Sequence, residues 1–164
     1  NFAFSQKKFP QIDTYGAVFP VPEADLVLDP NQKHKIMFDI LEAEKEQDKN
    51  QNHQFELVAR LINLYGEAGV KKENLDLIIV LHYEATPTIL SDEAFMQTYN
   101  TKNPNTDIIN KLGESGVKFY VCGQSLRARK LVDLPKNKNI KVAHGALEAL
   151  SHFQNQGYAI LKLH

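Results

Sequence analysis

The stretch LDLIIVLH, residues 75–82, is the clearest strand signal in the chain. Its apolar run is nearly continuous, which is typical of a strand buried on both faces of a parallel sheet. Before it, apolar side chains recur at helical spacing and predict a helix over residues 53–68, with Gly69 at its C-terminal end. A helix that leads into a doubly buried strand is typical of a βαβ unit, so the sequence predicts an α/β fold.

Four further segments have strand character: KIMFDIL, VKFYVC, IKVA and YAILKL, at residues 35–41, 117–122, 140–143 and 158–163. Helices are predicted between them near residues 92–99, 106–115 and 145–156, and another opens at Gly123. Strands that alternate with helices predict parallel crossovers. We expect a flavodoxin-like three-layer sandwich with a five-stranded parallel sheet in the order 2-1-3-4-5.

Residues 1–32 differ in character from the rest of the chain. They contain four prolines and several aromatic residues, among them Phe2, Phe4 and Phe19. Prolines at this density exclude a long helix and predict an extended arm. Because the aromatic side chains need burial, we expect the arm to pack on its own domain or on a neighbouring subunit. Residues 33–164 form the α/β domain.

The overall composition excludes several classes of function. A net charge of -1 means that the chain has no excess of basic residues of the kind that binds nucleic acid. No apolar run approaches the roughly 20 residues that a membrane-spanning helix needs. The single cysteine, Cys122, excludes an intramolecular disulfide and a CxxC redox pair.

Reactive side chains follow three of the predicted strands, where ligands bind in open parallel sheets. They are His82, Cys122 and His144, and Asp39 lies late in the first strand at the same crevice. In the expected order the third and fourth strands are neighbours, which would bring His144 near Cys122. His82 would then reach across from a more distant strand.

Cys122 is the strongest candidate for a functional residue. It precedes Gly123, Gln124 and Ser125, where backbone N–H groups at a helix start would point toward the sulfur and favour the thiolate. Gly123 also lets the backbone turn sharply. The same pattern equally fits a small, buried and inert cysteine.

No cofactor is expected from the sequence. Residues 42–52, which follow the first strand, contain no glycine, and this argues against a nucleotide site, a Rossmann fingerprint and a flavin phosphate cradle. A Cys–His–His metal site is conceivable, but the spacing does not demand one. The basic run Arg127, Arg129 and Lys130 could attract an anionic substrate, although such a run is more often a solvated face.

Several segments resemble the DsrE/DsrF-like family. They are RLINLYGEAGV, LIIVLHYEAT, NPN, VKFYVCGQSLRAR and VAHGALEALSHFQNQGYAIL, at residues 60–70, 77–86, 103–105, 117–129 and 142–161. The arm segment GAVFPVPEADLVLDP, residues 16–30, resembles the arm of exported members. On that similarity we expect a signal-cleaved periplasmic protein, with a cytoplasmic location as the alternative.

The resemblance implies a homotrimer or hexamer that relays sulfur as a cysteine persulfide between a thiol or persulfide donor and an acceptor. Cys122 would accept the sulfur, Gly123, Gln124 and Ser125 would shape its loop, and His82 matches a histidine that commonly ends the second strand. The sequence departs from the family pattern at Tyr83, where glycine is usual, and at His144 and Gly145.

Three hypotheses about function follow. In the first, the protein is a sulfur carrier or sulfurtransferase in which Cys122 holds sulfane sulfur and His82 or His144 tunes protonation. In the second, it is a non-catalytic oligomeric module that binds a small ligand or a partner, and Cys122 is buried and inert. In the third, Cys122, His82 and His144 bind a metal.

Overall fold

The structure, a computed structural model, describes residues 6–163. Phe2, Phe4 and His164 lie outside the described residues. The strands are β1 (His34–Ile40), β2 (Leu75–Leu81), β3 (Lys118–Cys122), β4 (Ile140–Ala143) and β5 (Ala159–Lys162). The α-helices are α1 (His53–Glu67), α2 (Asp92–Tyr99), α3 (Thr106–Glu114), α4 (Gly123–Ala128) and α5 (Ala146–Asn155). Short 3₁₀ helices cover Lys72–Asn74 and Tyr83–Ile89.

All neighbouring strands of the sheet are parallel, and their order is β4-β3-β2-β1-β5. The predicted α/β class with a five-stranded parallel sheet is confirmed. The order differs from the expected 2-1-3-4-5, because β2 lies between β1 and β3 while β5 flanks β1. Hydrophobic patterns identify strands but do not specify their neighbours. As a consequence, His82 does not reach across from a distant strand, since β2 is directly beside β3.

The order of the strands determines which face each helix covers. From β1 to β4 the chain steps sideways in one direction, and right-handed crossovers place α1 to α4 on one face. The connection from β4 to β5 runs back across the sheet, so α5 covers the other face. The two apolar cores match this division, since Phe55, Ile108 and Leu126 pack on one side and Ala146 and Ala149 on the other.

The first part of the arm packs on its own domain, as one of the two alternatives predicted. The buried amide of Asn63 in α1 accepts hydrogen bonds from the N–H groups of Gln11 and Ile12, both at 2.8 Å. It also donates to the carbonyls of Ile12, Tyr15 and Gly16. One buried side chain thus satisfies five backbone groups of an otherwise irregular segment.

Within the described range, no helix has the length and apolar character needed to cross a membrane.

Candidate functional site

Two helices begin side by side where β3 and β4 end. Cys122 and Ala143 are partners in the parallel register. Helix α4 follows β3 without a loop, and α5 follows β4 after only His144 and Gly145. The N-terminal ends of both helices therefore meet at Cys122.

The Cys122 sulfur lies at the start of both helices. The N–H of Ser125 in α4 donates to Sγ at 3.4 Å, and the N–H of Ala146, the first residue of α5, donates at 3.3 Å. Cys122 is thus the N-terminal cap of α4, and it also satisfies an amide of α5 that Gly145 cannot cap with a side chain. The partial positive charges of two helix ends favour an anion at this atom.

The pKa of the Cys122 thiol reflects two opposing effects. Burial disfavours the thiolate and is the largest single effect. Hydrogen bonds from the Ser125 hydroxyl and from the backbone of Ser125, Ala146 and Gln124 together outweigh it, so the pKa lies below its ordinary value of 9.0. Cys122 is only 5% exposed, and its apolar neighbours include Met37 and Val80.

Gly123 is required by the close approach of the two strand ends. A Cβ atom at this position would lie 2.8 Å from the carbonyl oxygen of Ala143 and 3.2 Å from that of His144. Both are backbone atoms with little freedom to move. The neighbouring Gln124 reinforces the contact, because its side-chain amide donates to the His144 carbonyl at 3.2 Å.

Ser125 links the cysteine to the segment that follows β2. Its hydroxyl helps to lower the pKa of the Cys122 thiol, and its Oγ accepts from the N–H of Tyr83 at 3.1 Å. Tyr83 has a left-handed backbone with φ of 52°, a conformation that favours glycine. Tyr83 is 59% exposed, and its ring lies under the guanidinium of Arg129.

His82 and Asp39 form a pair at the same edge of the sheet. The His82 Nε2 atom is 2.8 Å from Oδ1 of Asp39, and both side chains are largely buried. Asp39 therefore contacts His82 at the edge of the sheet where β1 and β2 end.

His144 lies one residue beyond the strand partner of Cys122, as its place in the sequence predicted. Its ring points to solvent, however, and Nδ1 contacts Oε2 of Glu148 at 2.8 Å. Among residues 6–163, neither His144 nor His82 donates a hydrogen bond to the Cys122 sulfur.

Two cavities flank the cysteine loop. One, of about 260 Å³, lies on the α4 side and is lined by residues that include Gly123, Arg127, Val132, Lys136 and Val142. The other is a groove of about 540 Å³ along α5, lined by Tyr120, His152 and Phe153 among others. Ala143 and His144 line both cavities. Cys122 itself lines neither cavity.

The described part of the chain holds no group of three or more His, Cys, Asp or Glu side chains placed to bind a metal. His82 is directed to Asp39 and His144 to Glu148, so the structure does not bring Cys122 and the two histidines together. The metal hypothesis has no geometric support within residues 6–163.

The hydrogen bond from the N–H of Ala146 to the Cys122 sulfur was not predicted from the sequence. The signal was present, because β4 and β3 are both followed almost at once by a helix, and neighbouring parallel strands end at the same edge. The link from Tyr83 to Ser125 was also not predicted, because it depends on β2 lying beside β3.

Comparisons with known proteins agree with this architecture. The model of the DsrE/DsrF-like family matches residues 34–163. The structure of MTH1491, a protein of unknown function from Methanobacterium thermoautotrophicum, is similar with a TM-score of 0.61 at 16% identity. That match covers 80% of this chain and 100% of the other. The ychN protein from E. coli matches with a TM-score of 0.57 at 18% identity, over 79% of this chain and 99% of that one. At such identities the two structures show the fold alone. No curated protein sequence matches the chain.

Proposed function

The chain belongs to the DsrE/DsrF-like family, and from that premise we propose that it handles sulfane sulfur, which Cys122 carries as a persulfide. The observation that supports this most directly is the pair of amides, from Ser125 and Ala146, that donate to Sγ from the starts of two helices. They favour the thiolate, which is the nucleophile in sulfur exchange.

The proposed step is an exchange between sulfur atoms with no net oxidation. The Cys122 thiolate attacks the outer sulfur of a donor persulfide, R–S–SH, and an Sγ–S bond forms as the donor S–S bond breaks. The donor leaves as R–S⁻ with the electron pair of that bond, and the proton stays on the transferred sulfur. An acceptor thiolate then attacks that outer sulfur, and Cys122 leaves as the thiolate.

The surrounding residues have distinct roles in this proposal. Gly123 allows the close approach that aligns the two helix starts, Gln124 fixes the loop, and the Ser125 hydroxyl stabilises the sulfur anion. His82, held by Asp39, and the exposed His144 tune protonation of the arriving donor or acceptor. Tyr83 covers the outer side of the site and narrows access to it.

The biological setting is also part of the proposal. The protein would act as a homotrimer or hexamer, in the periplasm, with a thiol or persulfide as donor and as acceptor. Its activity is that of a sulfur carrier or of a sulfurtransferase. The likeness of residues 16–30 to the arm of exported family members supports the location.

Mass spectrometry of the protein after incubation with a persulfide donor tests the proposal. We expect Cys122 to gain one sulfur atom, about 32 Da, that an added thiol removes. Because the chain has one cysteine, Cys122→Ser is a complete negative control. If the wild-type protein gains no sulfur, the proposal is wrong.

A second candidate function is supported by the burial of the thiol. With 5% exposure and apolar neighbours, Cys122 also fits an inert core residue of an oligomeric module that binds a small ligand or a partner. That function predicts a thiol that reacts slowly with alkylating reagents and has an ordinary or raised pKa. A fast, low-pKa thiol would exclude it.

A further inference from the structure

The second part of the arm, residues 19–28, carries apolar side chains that its own domain does not bury. Leu26 is 80% exposed, Val27 is 84% exposed and Phe19 is 53% exposed. Together with Leu64 of α1, the segment lines a groove of about 380 Å³. This outer arm, residues 19–28, contrasts with the anchored part before it, where Ile12 and Val18 are buried.

The charges of the outer arm all have one sign. Glu23 and Asp25 lie within it and Asp29 follows directly, while residues 19–30 contain no Lys or Arg. Among residues 6–163, none of these three carboxylates forms an ion pair. The outer arm is thus an apolar and acidic surface whose carboxylates have no ion-pair partner in the described part of the chain.

The cavity on the α4 side has the complementary character. Arg127 and Lys136 line it, and Arg129 and Lys130 follow on the same segment. The four bases, here called the basic rim, form no ion pair within the described residues. The cavity also exposes apolar surface, since Val142 is 55% exposed and Val132 is 36% exposed.

The outer arm lies away from the basic rim of its own chain. It packs beside Leu64 and Glu67, near the end of α1, at the sheet edge where β2 begins. The basic rim lies near the opposite edge, where β3 and β4 end. Helix α1 has 15 residues, so the two edges are separated by about 22 Å along its axis.

We propose that the outer arm of one copy of this chain docks on the basic rim of a second copy and covers the cavity beside Cys122. Apolar side chains such as Leu26 meet Val132 and Val142, and Glu23 and Asp25 pair with the rim bases. The contact joins different surfaces of the two copies, so it is head-to-tail and builds a ring or a chain. The site would then be completed by the neighbouring subunit.

This inference rests on the proposed function in one respect: the covered cavity matters for function only if Cys122 handles sulfur. Association itself is independent of sulfur chemistry. Sulfur loading of the wild-type protein without charge-dependent association would reject the docking proposal alone. Charge-dependent association without loading would reject the proposed function alone.

Sedimentation velocity of the full chain and of three charge variants tests the docking. The arm variant carries Glu23→Lys and Asp25→Lys, and the rim variant carries Arg127→Glu and Lys130→Glu. Each variant places like charges opposite each other, and we expect association to weaken roughly tenfold or more. The combined variant carries all four substitutions and restores opposite charges, so its association should return toward the wild-type level.

Two controls keep the test interpretable. Thermal melting shows whether each variant is folded, and we expect small changes because all four substituted side chains are exposed. Wild-type association should also weaken between low and high salt. The docking proposal is overturned if the wild-type chain is monomeric, if the rim variant associates like wild type, or if the combined variant fails to recover association.

Discussion

The segments that follow β2 and β3 lie side by side, but their backbones are stabilised in different ways. After β2, Tyr83 has a left-handed backbone and an exposed ring, and its N–H bonds to the hydroxyl of Ser125. At the end of β3, Cys122 has an ordinary extended backbone with φ of −66°, and amides of two helices donate to its buried sulfur. The Cys122 sulfur therefore accepts from backbone amides of two helices, whereas Tyr83 presents an exposed side chain that contacts Arg129.

Substitution of Gly123 tests the β3 side of this comparison and has the largest expected effect. In Gly123→Ala the new methyl group meets two carbonyl oxygens that cannot move without displacing the end of β4. We expect the free energy of unfolding to fall by about 2 kcal/mol, as for other overpacked sites. Chemical denaturation measures the change.

Gly145→Ala is the matched control for Gly123→Ala. Gly145 has an extended backbone, and the nearest atom to an added Cβ is Cγ of Gln124 at 3.8 Å. The substitution should cost less than about 1 kcal/mol, the range for a weaker helix cap. Equal destabilisation by the two alanines would show that the close approach at Gly123 does not matter.

Substitution of Tyr83 tests the β2 side and has a smaller expected effect. Both Tyr83→Gly and Tyr83→Ala remove the ring and its contact with Arg129, but only glycine relieves the left-handed backbone. The glycine variant should therefore be more stable than the alanine variant by about 1 kcal/mol. Thermal and chemical denaturation of the two variants measure the difference, and an alanine variant of equal stability would contradict it.

Much of the fold could be predicted, because the spacing of apolar residues and the residues that end helices can be identified within short stretches of sequence. The strand LDLIIVLH matched β2 closely, and Gly69 and Gly157 end their helices with a left-handed backbone. The order of the strands could not be predicted in the same way, because residues buried on both faces fit several neighbours equally well. Short-range sequence patterns could not predict that Asn63 anchors the arm, since its hydrogen-bond partners lie about fifty positions earlier in the chain.

The candidate site was predictable to the level of its residues but not of its contacts. Cys122 and His144 stood out because strand ends in a parallel sheet converge. The donor from Ala146, the pairing of His82 with Asp39 and the link from Tyr83 to Ser125 depend on which strands are adjacent. Each of these contacts joins segments that are distant in sequence, and sequence spacing carries no information about them.

The pH dependence of Cys122 alkylation tests the central claim most directly, because the chain has no other cysteine to react. We expect the reaction rate to rise with pH and to level off below the ordinary thiol pKa of 9.0, because amides of two helix starts stabilise the thiolate. Ser125→Ala removes the hydroxyl contact and should raise the pKa, whereas Ser151→Ala, on the outer part of α5, should leave it unchanged. A wild-type thiol pKa at or above 9.0, with no change in Ser125→Ala, would contradict the claim that this site favours the thiolate.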